Sequence, residues 1–240
     1  MQMTCFNKRG FTLLELLVVI GIIALLGSMG FAATQGILVK SRQAKCASNL
    51  RQIGVAVIGY TQENAGNFPV STHGLDVTTY GNAWIYSLAP YLSDVEEVRI
   101  CPADPKSAER LEAKGTSYIM NSFLTVPKLS PFGEPMGGFT NLNGLSSMTN
   151  TPMAFIINFS KGVGVTNDHT HSEAWTNWGR VVEDIQPDAF RLGSERPDRS
   201  SGSSNYLFVD GHVENIKAEV IQGWISSGYN FADPASKTKS

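Results

Sequence analysis

Residues 8–15, with the sequence KRGFTLLE, open an apolar run that ends at Ala33, and this stretch decides how the rest of the chain can fold. Within residues 11–33 the one ionisable side chain is Glu15. At a rise of about 1.5 Å per residue, a helix over these positions is roughly 34 Å long, enough to cross a hydrocarbon core of about 30 Å. The pattern predicts a membrane-spanning helix over 11–33 that carries one carboxylate.

Glu15 needs an explanation, because a carboxylate inside a membrane helix is costly and normally has a partner. The run itself contains no Lys, Arg or His that could provide one. If the chain were cut between Gly10 and Phe11, the new α-amino group would lie four residues from Glu15, and the amine of a neighbouring copy would be the better partner. This chemistry favours assembly of identical helices. A single-pass anchor with an incidental glutamate is the plainer alternative.

Residues 10–15, GFTLLE, resemble the processing site of type IV prepilins and of the related type II secretion pseudopilins. The resemblance implies that a prepilin peptidase cuts after Gly10 and that Phe11 is then N-methylated. It also implies that Glu15 meets the terminus of an adjacent subunit. The chain would then assemble with other pilin-like subunits on an inner-membrane platform, with its N-terminus cytoplasmic and its C-terminal domain periplasmic.

Two features compete with this interpretation. Residues 30–32, Gly-Phe-Ala, resemble a small-x-small signal-peptidase site, although the apolar region is longer than the 7–15 residues usual for a signal-peptide core. Positive charges flank the run on both sides, at Lys8 and Arg9 before it and at three positions within 40–45 after it, so that the positive-inside count favours the opposite orientation. The cytoplasmic N-terminus therefore rests on the leader motif.

The charge balance of the chain is unremarkable. The chain has 240 residues with 19 basic and 21 acidic side chains, and removal of Lys8 and Arg9 with the leader leaves 17 against 21, a net charge of −4. Nothing in this balance suggests nucleic acid. The roughly 200 residues beyond the apolar run are the size of one ordinary domain.

The helical pattern continues beyond the apolar run. Apolar residues recur at a spacing of three or four from Ala47 to Tyr60, and Gly66 ends the pattern. The prediction is an α+β, pilin-like fold, in which a long N-terminal helix packs on a C-terminal antiparallel β-sheet domain. Its parts are a cleaved leader at 1–10, a helix over 11–66 with a membrane part at 11–33 and an amphipathic part at 40–66, and a β-rich domain over 67–240.

Several elements of that domain are expected from local patterns. Asp210-Gly211 between two apolar runs is a strong hairpin signal, and a type I′ turn with positive φ at both central residues is expected there. The other expected elements are a short helix over 84–92, strands over 117–121, 153–159 and 179–185, a long loop over 127–151, and a short helix over 217–226.

The cysteines suggest one covalent link. Cys5 leaves with the predicted leader, which keeps Cys46 and Cys101 in the mature chain. In an oxidising compartment these two are predicted to form a disulfide that ties the long helix to the globular domain. The alternative is that both are small buried hydrophobes.

A second resemblance covers the start of the domain. Residues 45–69 (KCASNLRQIGVAVIGYTQENAGNFP), together with CPAD at 101–104, resemble large-bodied pilin-like proteins of planctomycete- and verrucomicrobial-type bacteria. Those proteins carry a C-terminal signature, a His nine residues ahead of an Asp-Gly pair. Here DGHVE at 210–214 is intact, whereas Ser200 stands at the position of the histidine, which is either lost or replaced by His212.

No cofactor or metal is predicted. Residues 168–173 (DHTHSE) contain four residues of metal-binding types, and His169, His171 and Glu173 would share one face of an extended chain. Asp, His and Glu also alternate within 210–214, but neither spacing matches a strong metal signature. A metalloenzyme on a membrane anchor would depend wholly on the two histidines.

The favoured function is that of a structural filament subunit, since no catalytic motif is present. The alternative is a minor or tip subunit that binds a surface ligand such as a glycan. That alternative is based on the loop over 127–151 and on the four tryptophans, Trp84, Trp175, Trp178 and Trp224.

Overall fold

The computed structural model describes residues 11–72, 83–127, 132 and 138–236, without the side chains of 27–33. The chain divides into two compact units, Met1–Leu38 and Val39–Ser240. Helix α1 runs from Leu13 to Glu63 and contributes to both. The predicted leader, 1–10, lies outside the described residues.

In the first unit, every described side chain from Phe11 to Leu26 is exposed. Within the described residues, no helix includes a stretch that is both long and apolar enough to cross a membrane. The predicted span over 11–33 includes residues 27–33, whose side chains lie outside that description, so the span stays a prediction.

In the second unit, the later part of α1 packs on the core with one face. Its buried apolar side chains follow the spacing expected of a helix that rests on a domain, and they are Cys46, Leu50, Ile53, Ala56 and Val57. The helix ends at Glu63, and Gly66 has a φ of 82°, in the left-handed region that ends many helices. The predicted long helix is confirmed, and it ends three residues before the predicted bound at 66.

The core of the second unit is a four-stranded antiparallel sheet. Its strands lie in the order β1 (Tyr118–Met120), β2 (Pro152–Ile156), β3 (Ser203–Phe208) and β4 (Val213–Lys217). The predicted α+β fold, with a long helix and an antiparallel sheet, is confirmed, and the predicted apolar strand near 153–159 is central in the sheet as β2.

Alternation along the strands gives the sheet two buried faces. Tyr118, Met120 and Leu207 belong to the apolar cluster that includes α1. Their neighbours along the strands, Ile119 and Tyr206, belong to a second cluster on the other face. Helices therefore cover both faces of the sheet, with α1 on one and the last two helices, defined below, on the other.

The remaining helices are short. They are α2 (Trp84–Ser87), α3 (Val95–Val98), α4 (Ser107–Glu112), α5 (Ser122–Thr125), α6 (Trp178–Asp184) and α7 (Ala218–Ser226), with 3-10 turns at Ala89–Tyr91, Leu142–Gly144 and Ser172–Ala174. The predicted helices over 84–92 and 217–226 correspond to α2 with its 3-10 turn and to α7. Part of the predicted loop, at 128–131 and 133–137, lies outside the described residues.

The strand predicted over 179–185 is wrong, because this segment forms α6. The Asn177 side chain accepts a hydrogen bond from the Arg180 backbone N–H at 3.2 Å and caps the helix. Val181 and Asp184, three residues apart, are its buried residues. The consecutive valines favour a strand locally, but the cap and this helical spacing decide the outcome.

The hairpin predicted at Asp210-Gly211 is confirmed, but its turn is not of type I′. Gly211 has a φ of 88°, whereas Val209 and Asp210 are not among the described residues with positive φ. The Gly211 N–H donates to the Phe208 carbonyl at 2.9 Å, and the Asp210 carboxylate accepts from the His212 N–H at 3.1 Å. The result is a three-residue loop closed by a left-handed glycine.

Candidate processing and assembly site

The start of α1 is a capping box made by Thr12 and Glu15. The backbone N–H and the hydroxyl of Thr12 both donate to Oε2 of Glu15 at 2.9 Å, and the Glu15 N–H donates to the Thr12 hydroxyl at 3.2 Å. In the single chain, the carboxylate therefore already has hydrogen-bonding partners. This capping role of Glu15 was not predicted, although Thr-x-x-Glu ahead of an apolar run is its sequence signature.

The surface that follows the cap is apolar. Phe11 is 74% exposed, Leu13 is 88% exposed, and the large apolar side chains that follow are also exposed. These are Leu14, Leu16, Leu17, Val18, Val19, Ile20, Ile22, Ile23, Leu25 and Leu26. A contiguous exposed surface of this kind marks a site for contact with lipid or with another protein. Gly10, the residue before the predicted cut, lies outside the described residues.

Cys46 and Cys101 meet in the core beside α1. Both are fully buried free thiols in the same apolar cluster, close enough that each influences the pKa of the other. Burial raises the pKa of the Cys101 thiol well above its usual value, which keeps that thiol protonated at neutral pH. Next to the pair, the Asn49 side-chain amide donates to the Ile100 carbonyl at 2.9 Å. The two thiols of the predicted disulfide thus lie in the same part of the core, and the bond itself stays a prediction.

Asp104, the last residue of the CPAD segment, is the centre of a buried polar cluster. Its carboxylate accepts from Nε of Arg110 at 2.6 Å, from the Ser117 hydroxyl at 2.8 Å and from the Lys106 backbone N–H at 2.9 Å. The side chains of Asp104 and Arg110 are both completely buried. In the sequence, Asp104 stands out only as part of the CPAD resemblance, since nothing local marks Arg110 as its partner.

Arg99 stabilises the same region from the other end of α4. Its guanidinium donates to the backbone carbonyls of Arg110 at 3.2 Å, of Leu111 at 2.9 Å and of Gly115, and it also contacts the Glu96 carboxylate. These bonds satisfy carbonyls at and beyond the C-terminal end of the helix, where a positive charge is favourable. Buried charged groups therefore hold α3 and α4 beside the Cys46–Cys101 contact.

The rings of His169 and His171 lie side by side with centroids 5.2 Å apart, as expected for two histidines on one face of an extended chain. His169 is buried and His171 exposed, and a 3-10 turn begins at Ser172. Asp168 is buried and accepts from the backbone N–H and the hydroxyl of Thr72, at 2.9 and 3.0 Å, and from Nδ1 of His169 at 2.8 Å. Across the described ranges, no group of three or more His, Cys, Asp or Glu side chains could hold a metal ion.

Asp184 holds the same loop against α6. Its carboxylate accepts from the Lys161 ammonium at 2.7 Å, from the His171 backbone N–H at 2.7 Å and from the Trp175 indole at 2.9 Å. Burial alone would raise the pKa of Asp184, but these donors and the Lys161 charge lower it below the usual value. The carboxylate is therefore charged at neutral pH and has a structural role.

The degenerate C-terminal signature is not restored by His212. Ser200 precedes β3 and Asp210 follows it, so a strand of six residues, roughly 20 Å at about 3.3 Å per residue, separates the two positions. Ser200 instead donates from its backbone N–H and hydroxyl to the Asp198 carboxylate, at 3.2 and 2.8 Å. His212 therefore lies at the opposite end of the strand from the position where the signature would place a histidine.

The four tryptophans behind the ligand-binding alternative differ in exposure. Trp84 and Trp175 are buried in the two clusters, and their indole N–H groups donate to the Asp168 carbonyl and to Asp184. Trp178 and Trp224 are half-buried. Only these last two can contact a ligand at the surface.

Comparisons with known families bear on both ends of the long helix. A model described as a prokaryotic N-terminal methylation motif matches residues 5–31, which include the capped helix start and the exposed apolar surface. By this match, the N-terminal part of the chain is similar to prepilin-type proteins. A second model, described as a protein of unknown function (DUF1559), matches residues 40–158 of the chain. The same comparisons found no matching curated protein and no matching solved structure.

The two matches cover different parts of the chain. The first covers Gly10, Phe11 and Glu15, and the second covers the Cys46–Cys101 contact and the Asp104 cluster. Neither reaches β3, β4 or α7. The family resemblance is therefore carried by the helix and the part of the domain that fastens it, while the C-terminal hairpin lies outside both matches.

Proposed function

We propose that this protein is a subunit of a type IV pilus-like filament or of a type II secretion pseudopilus, and that it is not an enzyme. Prepilin peptidase cuts the chain between Gly10 and Phe11, and the new Phe11 amine is methylated. Residues 11–33 span the inner membrane, with the N-terminus cytoplasmic and the domain over 67–240 periplasmic. After transfer through the assembly platform, the helices of many subunits pack together.

The observation that carries this proposal is the exposed apolar surface behind a single carboxylate. From Phe11 to Leu26 every described side chain is exposed, including twelve large apolar ones, and the second unit has a full core of its own. Exposure on this scale in water costs about 25 cal/mol per Å² of apolar surface, so the segment needs lipid or neighbouring helices. A filament subunit uses both, the first before assembly and the second after it.

The capping box gives Glu15 a role before assembly. Thr12 supplies two hydrogen bonds to the carboxylate while the chain is alone, which reduces the cost of holding the charge near the end of a membrane helix. A carboxylate has about four acceptor sites, so Glu15 can accept a neighbouring Phe11 amine without giving up Thr12. The cap would then fix the direction in which the carboxylate is presented.

The mature N-terminus tests the proposal directly. Mass spectrometry of the purified protein is expected to find a chain that begins at Phe11 with a methylated amine. A chain that begins at Ala33 would identify a secreted protein with a conventional signal peptide, and an uncut Met1 a plain anchor. Either result would reject the filament proposal.

We also propose that Cys46 and Cys101 form a disulfide after export. Both thiols lie fully buried in one apolar cluster and influence each other's pKa, and an oxidising periplasm supplies the oxidant that takes up the two electrons and two protons. The bond would close a loop from α1 to the CPAD segment and contribute about 2–5 kcal/mol to stability. Peptide mapping without reductant is expected to recover a linked Cys46–Cys101 peptide. Two free thiols in exported protein would contradict it.

A further inference from the structure

A cavity of about 270 Å³ between α7 and the β3–β4 hairpin has no part in the filament function. Aromatic side chains, including Trp224, Tyr229 and Phe208, form much of its lining, and Glu214 and Asn150 supply polar groups. Pockets for drug-sized ligands usually measure about 300–1,000 Å³. This cavity is therefore suited to one small ring and not to an extended ligand.

The end of α7 builds the aromatic wall. Gly228 has a φ of 80°. The Tyr229 N–H donates to the Trp224 carbonyl, and the Gly228 N–H donates to the Ile225 carbonyl, both at 2.9 Å. This pattern is a Schellman motif, which brings the residue after the glycine back onto the last turn of the helix. The Tyr229 and Trp224 rings meet edge to face, with centroids 5.9 Å apart. Backbone geometry thus fixes the wall before any ligand binds.

The β3–β4 hairpin turn forms the side of the cavity opposite to α7. The His212 ring stacks on Phe208 with centroids 4.3 Å apart and an interplanar angle of 9°. Its Nδ1 lies 2.5 Å from the Asp210 carboxylate, which holds the ring in place. The turn that the Asp-Gly pair forms therefore also orients part of the cavity lining.

Polar groups at the cavity have hydrogen-bonding capacity that the protein does not use. In the described part of the chain, the Glu214 carboxylate, the Asn150 carboxamide and the Trp224 indole N–H take part in no hydrogen bond or ion pair. Acceptors and donors of this kind beside an aromatic wall fix the orientation of a ligand that is apolar on one face and polar at its rim.

The charge of the cavity lining and the packing of its aromatic rings limit the class of ligand that can bind. The lining contains the Glu214 carboxylate and no Lys or Arg, so an acidic ligand is disfavoured. Trp224 and Tyr229 pack against each other and do not stand apart as the walls of an aromatic cage, the arrangement that suits a quaternary ammonium group. A pyranose ring, with C–H groups on its faces and hydroxyls around its rim, matches the remaining features.

We propose that this cavity binds one residue of a neutral saccharide, with a C–H face of the sugar on Trp224 and hydroxyls hydrogen-bonded to Glu214 and Asn150. The site lies wholly within the second unit, so its binding is independent of processing or assembly. The saccharide could come from N-acetylated chains, as in cell-wall glycan, or from non-acetylated chains, as in exopolysaccharide. The shared chemistry is a neutral pyranose.

The test is calorimetric titration of the full-length chain in lipid nanodiscs, which carry no sugar headgroups. The probes are chitotetraose and cellotetraose for the two neutral sources, trigalacturonic acid for an acidic sugar, and tetramethylammonium for a cation. Binding of at least one neutral probe is expected. Trp224→Ala is expected to weaken it by roughly tenfold or more, as for loss of a central aromatic anchor. Trp178→Ala, at the other half-buried tryptophan, should leave it unchanged.

Glu214→Gln provides a second variant, because Glu214 is exposed on β4 and its replacement does not disturb the core. It is expected to weaken saccharide binding without altering thermal unfolding. The neutral probe that binds identifies the source. Binding of neither neutral probe, binding of the acidic or cationic probe alone, or a saccharide affinity that survives both Trp224→Ala and Glu214→Gln would overturn the proposal. A correctly processed Phe11 terminus in the same sample would leave the filament proposal standing.

Discussion

Replacing Asp104 by alanine is expected to lower the free energy of unfolding by about 3–5 kcal/mol, because the Arg110 guanidinium would stay buried without its counter-ion. Ser117 and the Lys106 N–H would lose the same acceptor. Equilibrium denaturation of the full-length chain in nanodiscs, followed by the fluorescence of the buried tryptophans, measures the change. This cluster joins β1 to α4, so its loss should also loosen the contact with the second half of α1.

A surface ion pair provides the control for Asp104. Glu97 pairs with Lys45 at 2.5 Å, but about half or more of each side chain is exposed. Replacing Glu97 by alanine is expected to cost at most about 1 kcal/mol, because solvent screens an exposed pair. If Asp104→Ala cost no more than Glu97→Ala, the buried cluster would not contribute to stability as described.

Replacing Glu15 by alanine is expected to leave cleavage after Gly10 largely intact and to reduce incorporation into filaments by roughly tenfold or more. The reason is that a neighbouring Phe11 amine would lose its charged partner in an environment of low dielectric constant, where such a loss costs about 2–5 kcal/mol. Processing is read by the mass of the mature chain, and incorporation by quantitative blotting of sheared filaments against the membrane fraction.

Two further variants separate the charge of Glu15 from its role in the capping box. Thr12→Val removes the side-chain part of the cap, which is worth about 1 kcal/mol, and keeps the carboxylate. Glu15→Gln removes the charge and keeps an acceptor for the Thr12 N–H. We expect Thr12→Val to assemble nearly as well as the unaltered protein and Glu15→Gln to assemble as poorly as Glu15→Ala. Normal assembly of Glu15→Gln would show that the cap, and not the charge, is what assembly needs.

Local sequence patterns were sufficient to predict the helices and strands in which one periodicity dominates. The long helix, the strands around Ile119 and Phe155 and the final helix α7 follow from spacing and turn residues, because burial of one face agrees with local preference there. The segment that forms α6 was not predicted correctly from its local pattern. Its consecutive valines favour a strand, while the Asn177 cap and inward-facing Val181 favour a helix. Local preference and tertiary packing disagree at that segment, and packing decides it.

The proposed functional sites also divide into features that the sequence predicts and features that only tertiary packing produces. The sequence by itself determined the processing motif, the apolar run and the lone carboxylate, because each consists of neighbouring residues with properties that do not depend on the rest of the fold. Only the tertiary structure decided that Asp104 pairs with Arg110, and that Trp224 and Glu214 line one cavity while Trp84 and Trp175 are buried. Those contacts join residues that are not neighbours along the chain, and their geometry exists only once the sheet and its helices have packed.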